Sequence, residues 1–266
     1  MIIHEFGEAN PRKLLFFPCT AEPWTSFEDS VKLLAKEYHV MLVMPDGHEP
    51  QEKKDFTSVE QTVDETVAWL RARGIRSLDA LYGLSMGGGM AMHLIACGKF
   101  PVKRALVDAG TAPYTYPRWI CKIICVRDFL MMKALVASRR LLEAGFPPER
   151  FTPEGYDAKE VYDEIQQYLK TYSNRTIWNI FWSANNYSVP EKAPETETEM
   201  LFWVGEDEWG SRFRDLKWAK RYFPRMKVRT IPKMAHAEYC MIHPRAFAED
   251  ALAYFLRGDA KTDGKG

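Results

Sequence analysis

A glycine-rich segment around Ser85 carries the clearest chemical signal in the sequence. It reads Gly83-Leu84-Ser85-Met86-Gly87 and lies where a β-type run ends and an apolar helical run begins. A serine on such a strained turn needs small residues two positions to either side, and its hydroxyl projects at the positive end of the following helix. The segment lacks the Lys-Ser/Thr of a phosphate-binding loop and the GxGxxG spacing of a dinucleotide site. It therefore predicts a nucleophilic serine, with a glycine-rich turn that performs no chemistry as the alternative.

A serine hydroxyl becomes a useful nucleophile only beside a histidine base that is oriented by a carboxylate. His236 comes shortly after one β-type run, and the acidic residues 206–208 directly follow another. Because the carboxyl ends of parallel strands meet at one edge of a sheet, both groups are expected to lie near Ser85. The chain order of serine, acid and histidine is the order found after a nucleophilic turn of this kind.

Alternating β-type and helix-type segments must position these residues. The β-type runs are 13–18, 39–45, 78–84, 103–108, 200–204 and 227–231, and the helix-type runs are 26–36, 59–74, 90–97, 212–222 and 244–256. Such alternation predicts an α/β fold with a mostly parallel sheet flanked by helices. The alternation stops after Asp108, and about 90 aromatic-rich residues follow without a clear buried strand. We expect a core of residues 1–110 and 199–258, a helical insertion at 111–198 and a polar, disordered tail at 259–266.

The overall composition excludes several classes of protein. The chain of 266 residues has 36 Lys and Arg against 36 Asp and Glu, and 46% of it is hydrophobic. This balance is typical of a folded soluble protein and favours neither nucleic acid nor an anionic membrane as a partner. No secretory signal is visible at the start, the five cysteines are widely spread, and charged residues interrupt the apolar stretch at 119–137. We expect a cytoplasmic protein with reduced thiols, no membrane span and no metal site.

Three segments of the chain resemble the α/β-hydrolase superfamily, and the resemblance covers nearly its whole length. They are the turn around Ser85, the strand and turn at 38–48 that ends in Asp46-Gly47-His48, and His236 followed by the segment His243-Pro244-Arg245-Ala246-Phe247. The insertion at 111–198 stands where many members carry a helical cap. The resemblance implies an α/β-hydrolase fold, Ser85 as nucleophile, His236 as general base, a carboxylate after Val204, a small-molecule substrate and no cofactor.

Three carboxylates are candidates for the acid. In the family pattern Gly-Glu-x-Asp the acid is the fourth residue, which here is Glu208, so the resemblance favours a glutamate where aspartate is commoner. Asp207 is the second candidate. Asp108 is the third, because some members place the acid at the end of that strand. The other two carboxylates would then be loop or helix-capping residues.

The resemblance also implies an oxyanion hole made of backbone amides. One amide would be that of Met86, and the other would come from the loop after the run at 13–18, from Cys19 or Thr20. This loop departs from the family pattern, because Pro18-Cys19 replaces the usual His-Gly. A backbone donor does not depend on its side chain, and Cys19 itself is expected to be a small buried thiol rather than a nucleophile.

Aromatic residues of the insertion suggest a substrate pocket. In the predicted helical stretch at 174–187, Ile177, Phe181 and Ala184 form one stripe, and Trp178, Trp182 and Asn185 form another. One face could rest on the core while the other lines a pocket, together with Trp24, Tyr114 and Tyr116. The alternative is that these aromatics form the insertion's own small core. Such a pocket would favour a small or medium, partly apolar, uncharged acyl or aryl group.

These observations lead to one functional expectation and several alternatives. We expect an enzyme that hydrolyses a carboxylic ester through an acyl-enzyme on Ser85. Thioester, amide, peptide or carbon–carbon bond cleavage and acyl transfer could use the same residues, and a non-catalytic ligand receptor could retain the fold. The sequence does not indicate an oligomeric state.

Overall fold

Seven strands form a single sheet in the order β1-β3-β2-β4-β5-β6-β7. The computed structural model describes residues 1–114 and 116–257. The strands are β1 (Ile2–Phe6), β2 (Lys13–Phe17), β3 (His39–Met44), β4 (Leu78–Leu84), β5 (Val102–Asp108), β6 (Glu199–Gly205) and β7 (Lys227–Ile231). Strands β2 to β7 are parallel to one another, whereas β1 pairs antiparallel with β3. The predicted α/β fold with a mostly parallel sheet is confirmed.

Helices cover both faces of this sheet, and five of the described helices follow one another between β5 and β6. The helices outside that segment are α1 (Glu28–Leu34), α2 (Val59–Ala72), α3 (Met86–Ala96), α9 (Trp209–Tyr222), α10 (Glu238–Ile242) and α11 (Pro244–Phe255). The five between β5 and β6 are α4 (Arg118–Ala137), α5 (Arg139–Gly145), α6 (Pro148–Phe151), α7 (Ala158–Lys170) and α8 (Asn174–Ala184). We call the segment 111–198 the cap. Short 3-10 helices cover Trp24–Phe27 and Glu206–Glu208.

The central strands are largely apolar, and both faces of the sheet are buried. In β2, Leu14 and Phe16 belong to one hydrophobic cluster and Leu15 and Phe17 to another, as the alternation of side chains along a strand requires. The first cluster is closed by α1 and α11, and the second by α2, α3 and buried residues of the cap. Burial on both faces is what made these strands easy to find in the sequence.

The last cap helix, α8, is attached to the core by hydrogen bonds as well as by apolar packing. The backbone amide of Phe56 donates to Thr176 Oγ1 at 3.1 Å, and that of Val59 donates to Ser183 Oγ at 2.8 Å. Ile177 and Ile180 are buried in the same cluster as the sheet. None of the helices in the described parts of the chain is long and apolar enough to cross a membrane.

Two elements differ from the sequence-based prediction. The edge strand β1 was not predicted, because its residues His4 and Glu5 are polar and the whole strand is only half-buried. The helix after Ser85 begins at Met86 instead of residue 90, since the glycines at 87–89 form its first turn although glycine disfavours helix. The predicted tail at 259–266 lies outside the described residues.

Candidate active site

Ser85 occupies a strained turn between β4 and α3. Its φ of +57° and ψ of −118° are unfavourable for a residue with a Cβ, and such strain persists only where the surroundings enforce it. Its amide donates to the carbonyl of Asp108 at 2.8 Å, and its carbonyl accepts from the amide of Thr111 at 3.0 Å. The turn is therefore held against the end of the neighbouring strand β5.

The two glycines that flank Ser85 leave no room for a side chain. A Cβ on Gly83 would lie 2.3 Å from the carbonyl oxygen of Gly87, and a Cβ on Gly87 would lie 2.2 Å from the carbonyl oxygen of Phe17. Real Cβ atoms do not approach backbone oxygens so closely. These contacts are the physical reason for the small residues two positions to either side of the serine.

His236 connects Ser85 with one of the candidate acids. It lies in the loop between β7 and α10, with Nε2 2.9 Å from Ser85 Oγ and Nδ1 2.6 Å from Glu208 Oε2. A carboxylate oxygen only accepts, so the Nδ1 atom carries the proton and Nε2 is free to accept from the serine hydroxyl. The ring is thus held in the tautomer that a general base requires.

Glu208 is buried and well supported in its ionised form. It lies in the 3-10 helix after β6, where its second oxygen, Oε1, accepts from the amide of Gly205 at 2.9 Å. Arg212 Nε lies 3.7 Å from Oε2. Burial alone would raise the pKa of this carboxyl, but the hydrogen bond and charge of His236, the Gly205 amide and Arg212 together lower the pKa below its ordinary value. A carboxylate in this state keeps the imidazole oriented at neutral pH.

The other two candidate acids have different partners. Asp207 Oδ2 lies 2.7 Å from a guanidinium nitrogen of Arg150 on α6, and almost half of its side chain is exposed. Asp108 accepts a hydrogen bond from the hydroxyl of Tyr82 at 2.8 Å. Burial and the nearby charge of Glu208 raise the pKa of Asp108 to about 7. Of the three carboxylates that the sequence left open, Glu208 is the one that hydrogen-bonds His236.

The loop after β2 lies against the start of α3. A Cβ on Gly87 would be 2.4 Å from the carbonyl oxygen of Pro18, which shows how closely the two segments approach. Cys19 and Thr20 are the next two residues of this loop. The amide of Met86 is the first of α3, and the first amides of a helix have no acceptor within it. Burial strongly raises the pKa of the Cys19 thiol, which keeps this side chain neutral. The arrangement is compatible with the predicted amide pair, whose role as an oxyanion hole stays a prediction.

Three residues not identified as functional from the sequence support this loop. His48 is buried, and its Nδ1 lies 3.2 Å from the carbonyl of Asp46, so Nε2 accepts from Thr20 Oγ1 at 2.9 Å. Burial lowers the pKa of His48 to about 4, so the ring is neutral. The hydroxyl of Tyr168 on α7 donates to the carbonyl of His48 at 2.5 Å and lies 3.1 Å from the hydroxyl of Tyr172. The i, i+4 spacing was the only sequence signal for the two tyrosines, whereas His48 belongs to the Asp46-Gly47-His48 turn identified in the sequence.

The six residues predicted to line a pocket occupy different places. Trp24 stacks on His4 of β1 with ring centroids 4.6 Å apart, and the rings of Tyr114 and Tyr116 are 5.9 Å apart. Trp178 and Trp182 line a shallow surface cleft beside α4. The side-chain amide of Asn185 donates to the carbonyl of Ala112 at 3.0 Å. Among the described residues, none of the six hydrogen-bonds or stacks on Ser85 or His236, and their role in substrate binding stays a prediction.

The described residues contain no group of three or more His, Cys, Asp or Glu side chains that could hold a metal ion. Cys121 and Cys125, one helical turn apart on α4, are both buried with free thiols. Their thiols lie 3.6 Å from the carbonyl of Tyr116 and 3.7 Å from that of Trp178. These contacts show two cysteines packed among cap residues.

Comparison with protein families gives a match over most of the chain. The model of the alpha/beta hydrolase family matches residues 14–251. No curated protein matches the sequence. The match includes Ser85, Glu208 and His236, together with the whole of the cap.

Solved structures resemble this fold closely while sharing little sequence. An alpha/beta hydrolase family protein from Desulfitobacterium hafniense is 19% identical, with a TM-score of 0.70 and 93% of this chain and 97% of that chain covered. MenH from S. aureus is 17% identical, with a TM-score of 0.70 and coverage of 97% and 98%. A carboxylesterase from the thaumarchaeon Nitrososphaera gargenis is 16% identical, with a TM-score of 0.69 and coverage of 96% and 93%. At such identities the likeness is one of fold.

Proposed function

The chain belongs to the alpha/beta hydrolase family, and on that basis we propose that it is a serine hydrolase acting on carboxylic esters. One observation carries the proposal. Ser85, His236 and Glu208 form a continuous hydrogen-bonded relay with heavy-atom distances of 2.9 and 2.6 Å. The relay joins a hydroxyl, an imidazole and a buried carboxylate, which is the combination that activates serine for acyl transfer.

In the first half of the proposed reaction Ser85 is acylated. Its Oγ attacks the ester carbonyl while its proton moves to Nε2 of His236. The resulting imidazolium stays paired with Glu208, and the new oxyanion accepts from the amide of Met86 and from that of Cys19 or Thr20. The intermediate collapses as Nε2 returns the proton to the alcohol oxygen, which leaves with the electron pair of the broken bond.

In the second half the acyl group is transferred to water. His236 Nε2 takes a proton from the attacking water, and the second tetrahedral intermediate collapses with return of that proton to Ser85 Oγ. Ser85 and its base are thereby restored. Since the edge of the imidazole is partly exposed, with 29% of its side chain accessible, solvent can reach the acyl-enzyme from this side.

The substrate class that we propose is a small or medium, partly apolar, uncharged ester. The loop that would receive it is braced by neutral groups, which are the hydroxyls of Thr20, Tyr168 and Tyr172 and the uncharged ring of His48. These groups provide no cation that could pair with an anionic acyl group, which favours an uncharged one. The resemblance to a carboxylesterase in fold is consistent with this class.

The test combines turnover with covalent labelling. Wild-type protein is assayed with p-nitrophenyl esters of increasing chain length, and Ser85→Ala is expected to lower kcat by about four orders of magnitude or more. A fluorophosphonate is expected to add its mass to wild-type protein but not to Ser85→Ala. Ser58→Ala is the matched control, because it removes a serine hydroxyl that caps α2 and should leave both activity and labelling intact.

Two results would contradict the proposal. One is ester turnover retained by Ser85→Ala, and the other is no labelling of wild-type protein after long exposure. The second result favours a receptor that retains the fold. Thioester and anilide substrates with the same acyl groups, assayed beside the esters, decide between ester hydrolysis and the related reactions.

A further inference from the structure

One arginine of the cap contacts both loops that carry the proposed base and acid. Arg150 on α6 donates through Nε to Glu238 Oε2 at 2.6 Å and through a terminal nitrogen to the carbonyl of Lys233 at 2.6 Å. A terminal nitrogen also lies 2.7 Å from Asp207 Oδ2. Lys233 and Glu238 bracket His236, and Asp207 immediately precedes Glu208. The guanidinium therefore bridges the two loops through residues that neighbour His236 and Glu208.

The histidine loop has a backbone that needs outside support. Lys233 and Ala237 have φ values of +58° and +66°, in the left-handed region that side chains with a Cβ rarely adopt. The amide of Lys233 donates to Glu206 Oε2 at 2.9 Å, and the amide of Ala235 donates to Glu238 Oε2 at 2.7 Å. Strained conformations persist only when such contacts enforce them. The orientation of His236 thus depends on Glu238 and on the acid loop.

Glu238 in turn depends on Arg150. The carboxylate is only 5% exposed, and a buried carboxylate is costly unless a cation or several donors accompany it. Its hydrogen-bonded cation is Arg150, while Nε2 of His243 stands farther away, 3.8 Å from Oε1. Without Arg150, a buried charge would remain two residues from His236 and would drive the loop to rearrange toward water.

We propose that Arg150 is a positioning residue that couples docking of the cap to alignment of His236 with Ser85. It acts through Glu238 and the carbonyl of Lys233 and does not touch the reacting atoms. This inference rests on the function proposed above. It makes the cap part of the catalytic arrangement as well as a cover for it.

The test compares three single variants with a double variant. Arg150→Gln is expected to lower kcat for a p-nitrophenyl ester about 10- to 100-fold, since small misplacements of a catalytic group have effects of that size, with a much smaller change in KM. Arg139→Gln is the matched control, because Arg139 pairs with Glu143 and Asp163 within the cap, and it should stay within about twofold of wild type. Arg150→Gln/Glu238→Gln should recover part of the loss shown by Arg150→Gln, because no buried charge remains. The kcat of Arg150→Lys should lie between those of wild type and Arg150→Gln. Lysine keeps the positive charge, but one ammonium cannot reach all three acceptors.

A readout independent of substrate separates this inference from the proposed function. The NMR signals of the His236 ring, recorded at one pH, are expected to shift in Arg150→Gln and to stay in place in Arg139→Gln. Unaltered kcat and unaltered ring signals in a folded Arg150→Gln protein would overturn the role of Arg150. Loss of activity without rescue by Glu238→Gln and without shifted ring signals would show that Arg150 merely stabilises the cap. Failure of wild-type protein to turn over esters or bind a fluorophosphonate would instead refute the proposed function.

A second, independent feature is the outward face of α4. The α4 stripe comprises Trp119, Ile123, Val126 and Leu130, whose spacing of three or four residues places them on one side of the helix. All four are exposed, and Trp119 has 65% of its surface accessible. Met131 beside them is exposed as well. A continuous apolar stripe of this kind on a surface helix indicates a binding surface.

The charges around the α4 stripe are almost all positive. Lys122 and Lys133 flank it on one side and Arg127 on the other, and all three are exposed. The helix contains a single acidic residue, Asp128, which is paired with Arg127 at 2.7 Å. Beside the stripe, Arg118 and Lys122 line the shallow cleft with three tryptophans: Trp119, Trp178 and Trp182. An apolar stripe with cationic and tryptophan borders is the pattern of a helix that lies in a lipid headgroup layer.

We infer that α4 binds the surface of an anionic lipid bilayer, lying parallel to it without crossing it. Charge complementarity favours this occupant over a second copy of the chain, because two α4 helices would bring cationic borders together. The net charge of zero for the whole sequence conceals this local arrangement. The acidic residues that balance it lie elsewhere in the molecule.

Vesicle flotation tests this surface. Full-length protein is expected to float with vesicles that contain phosphatidylglycerol, to float much less with phosphatidylcholine alone, and to be released by salt. Leu130→Glu should abolish flotation, and Lys122→Gln/Lys133→Gln should weaken it. Phe213→Glu is the matched control, since Phe213 is similarly exposed but lies on α9, and it should float like wild type. Absence of flotation, or a dimer in sedimentation velocity that Leu130→Glu dissociates, would overturn the lipid assignment.

Discussion

Leu106 in β5 is fully buried, whereas Leu130 in α4 leaves 59% of its surface in solvent. The two leucines represent two regions with different organisation. The sheet is covered by apolar side chains on both faces, and its backbone approaches itself closely at Ser85. The cap contributes buried residues to one of the two core clusters and leaves large apolar residues exposed on α4. Close packing in the core can hold side chains within hydrogen-bond distance of one another, while the exposed side of the cap offers a surface for binding.

One carboxylate from each region shows how burial changes the pKa. The core contains Asp108, which is buried beside the hydroxyl of Tyr82, and burial raises its pKa to about 7. In the cap, Asp163 is exposed and its pKa is lowered by hydrogen bonds with Lys159 and Arg139. Arg150 joins the regions, because it belongs to the cap and binds carboxylates of the core. Pairs of similar substitutions, one in the core and one in the cap, can therefore test whether the two regions differ in their effect on activity and stability.

The largest effect is expected within the core, at the acid. Glu208→Gln should lower kcat by about three to four orders of magnitude, because an amide can present its N–H to His236 and hold the ring in the wrong tautomer. Asp207→Asn and Asp108→Asn should have much smaller effects. Steady-state kcat values of the three variants show which carboxylate acts as the acid. Equal losses in Glu208→Gln and Asp108→Asn would contradict the assignment of the acid.

A glycine pair compares backbone packing in the two regions. Gly87→Ala should destabilise the protein by more than about 3 kcal/mol, since its Cβ would meet the Phe17 carbonyl oxygen at 2.2 Å. Gly145 lies at the end of α5, where the nearest atom to an added Cβ would be a side-chain carbon of Leu135 at 3.9 Å. Gly145→Ala should therefore leave the free energy of unfolding unchanged or raise it by up to about 1 kcal/mol. Urea denaturation measures both. A well-tolerated Gly87→Ala would show that the turn can relax.

The two leucines test side-chain burial. Leu106→Ala should reduce the free energy of unfolding by about 3 kcal/mol, because it leaves a cavity in a fully buried layer. Leu130→Ala should change it by less than about 0.5 kcal/mol, because its side chain is already largely exposed. Comparable losses in thermal or urea unfolding would indicate that α4 is covered in solution.

The smallest effect concerns the pH dependence of stability. The folded-state pKa of Asp108 is above its unfolded value of 3.8, so the folded state holds this proton more tightly, and its contribution to stability declines between about pH 4 and about pH 7. Asp108→Asn should remove that decline, so that the gain in stability over wild type is larger at pH 8 than at pH 5. Urea midpoints at pH 5 and pH 8 measure the difference. A larger gain at pH 5 than at pH 8 would contradict the sign.

Much of the fold could be predicted because each buried strand corresponds to a short apolar run in the sequence. Six of the seven strands were identified within one or two residues, and β1 was missed because an edge strand can tolerate His4 and Glu5. Ser85 was identifiable because its turn forces glycine at positions 83 and 87. Strand burial and the geometry of the turn each restrict residue types within a few positions, so both can be recognised from a short stretch of sequence.

The identity of the partner carboxylate could not be reached in the same way. Asp207 and Glu208 are adjacent in sequence, but in a 3-10 helix successive side chains point about 120° apart. One carboxylate therefore faces Arg150 and the other faces His236. Arg150 itself left no recognisable signal, since its partners lie 57 to 88 residues further along the chain.

By itself the sequence determined the α/β architecture, the strained turn around Ser85 and the histidine that follows the last strand. Each depends on periodic burial or on backbone geometry within a few residues. Tertiary structure alone decided which acid meets the histidine, how Tyr168 and His48 support the loop after β2, and that Arg150 of the cap contacts the loops of His236 and Glu208. These contacts join segments that are far apart in the chain, and the distances between such segments are fixed only when the sheet and the cap pack together.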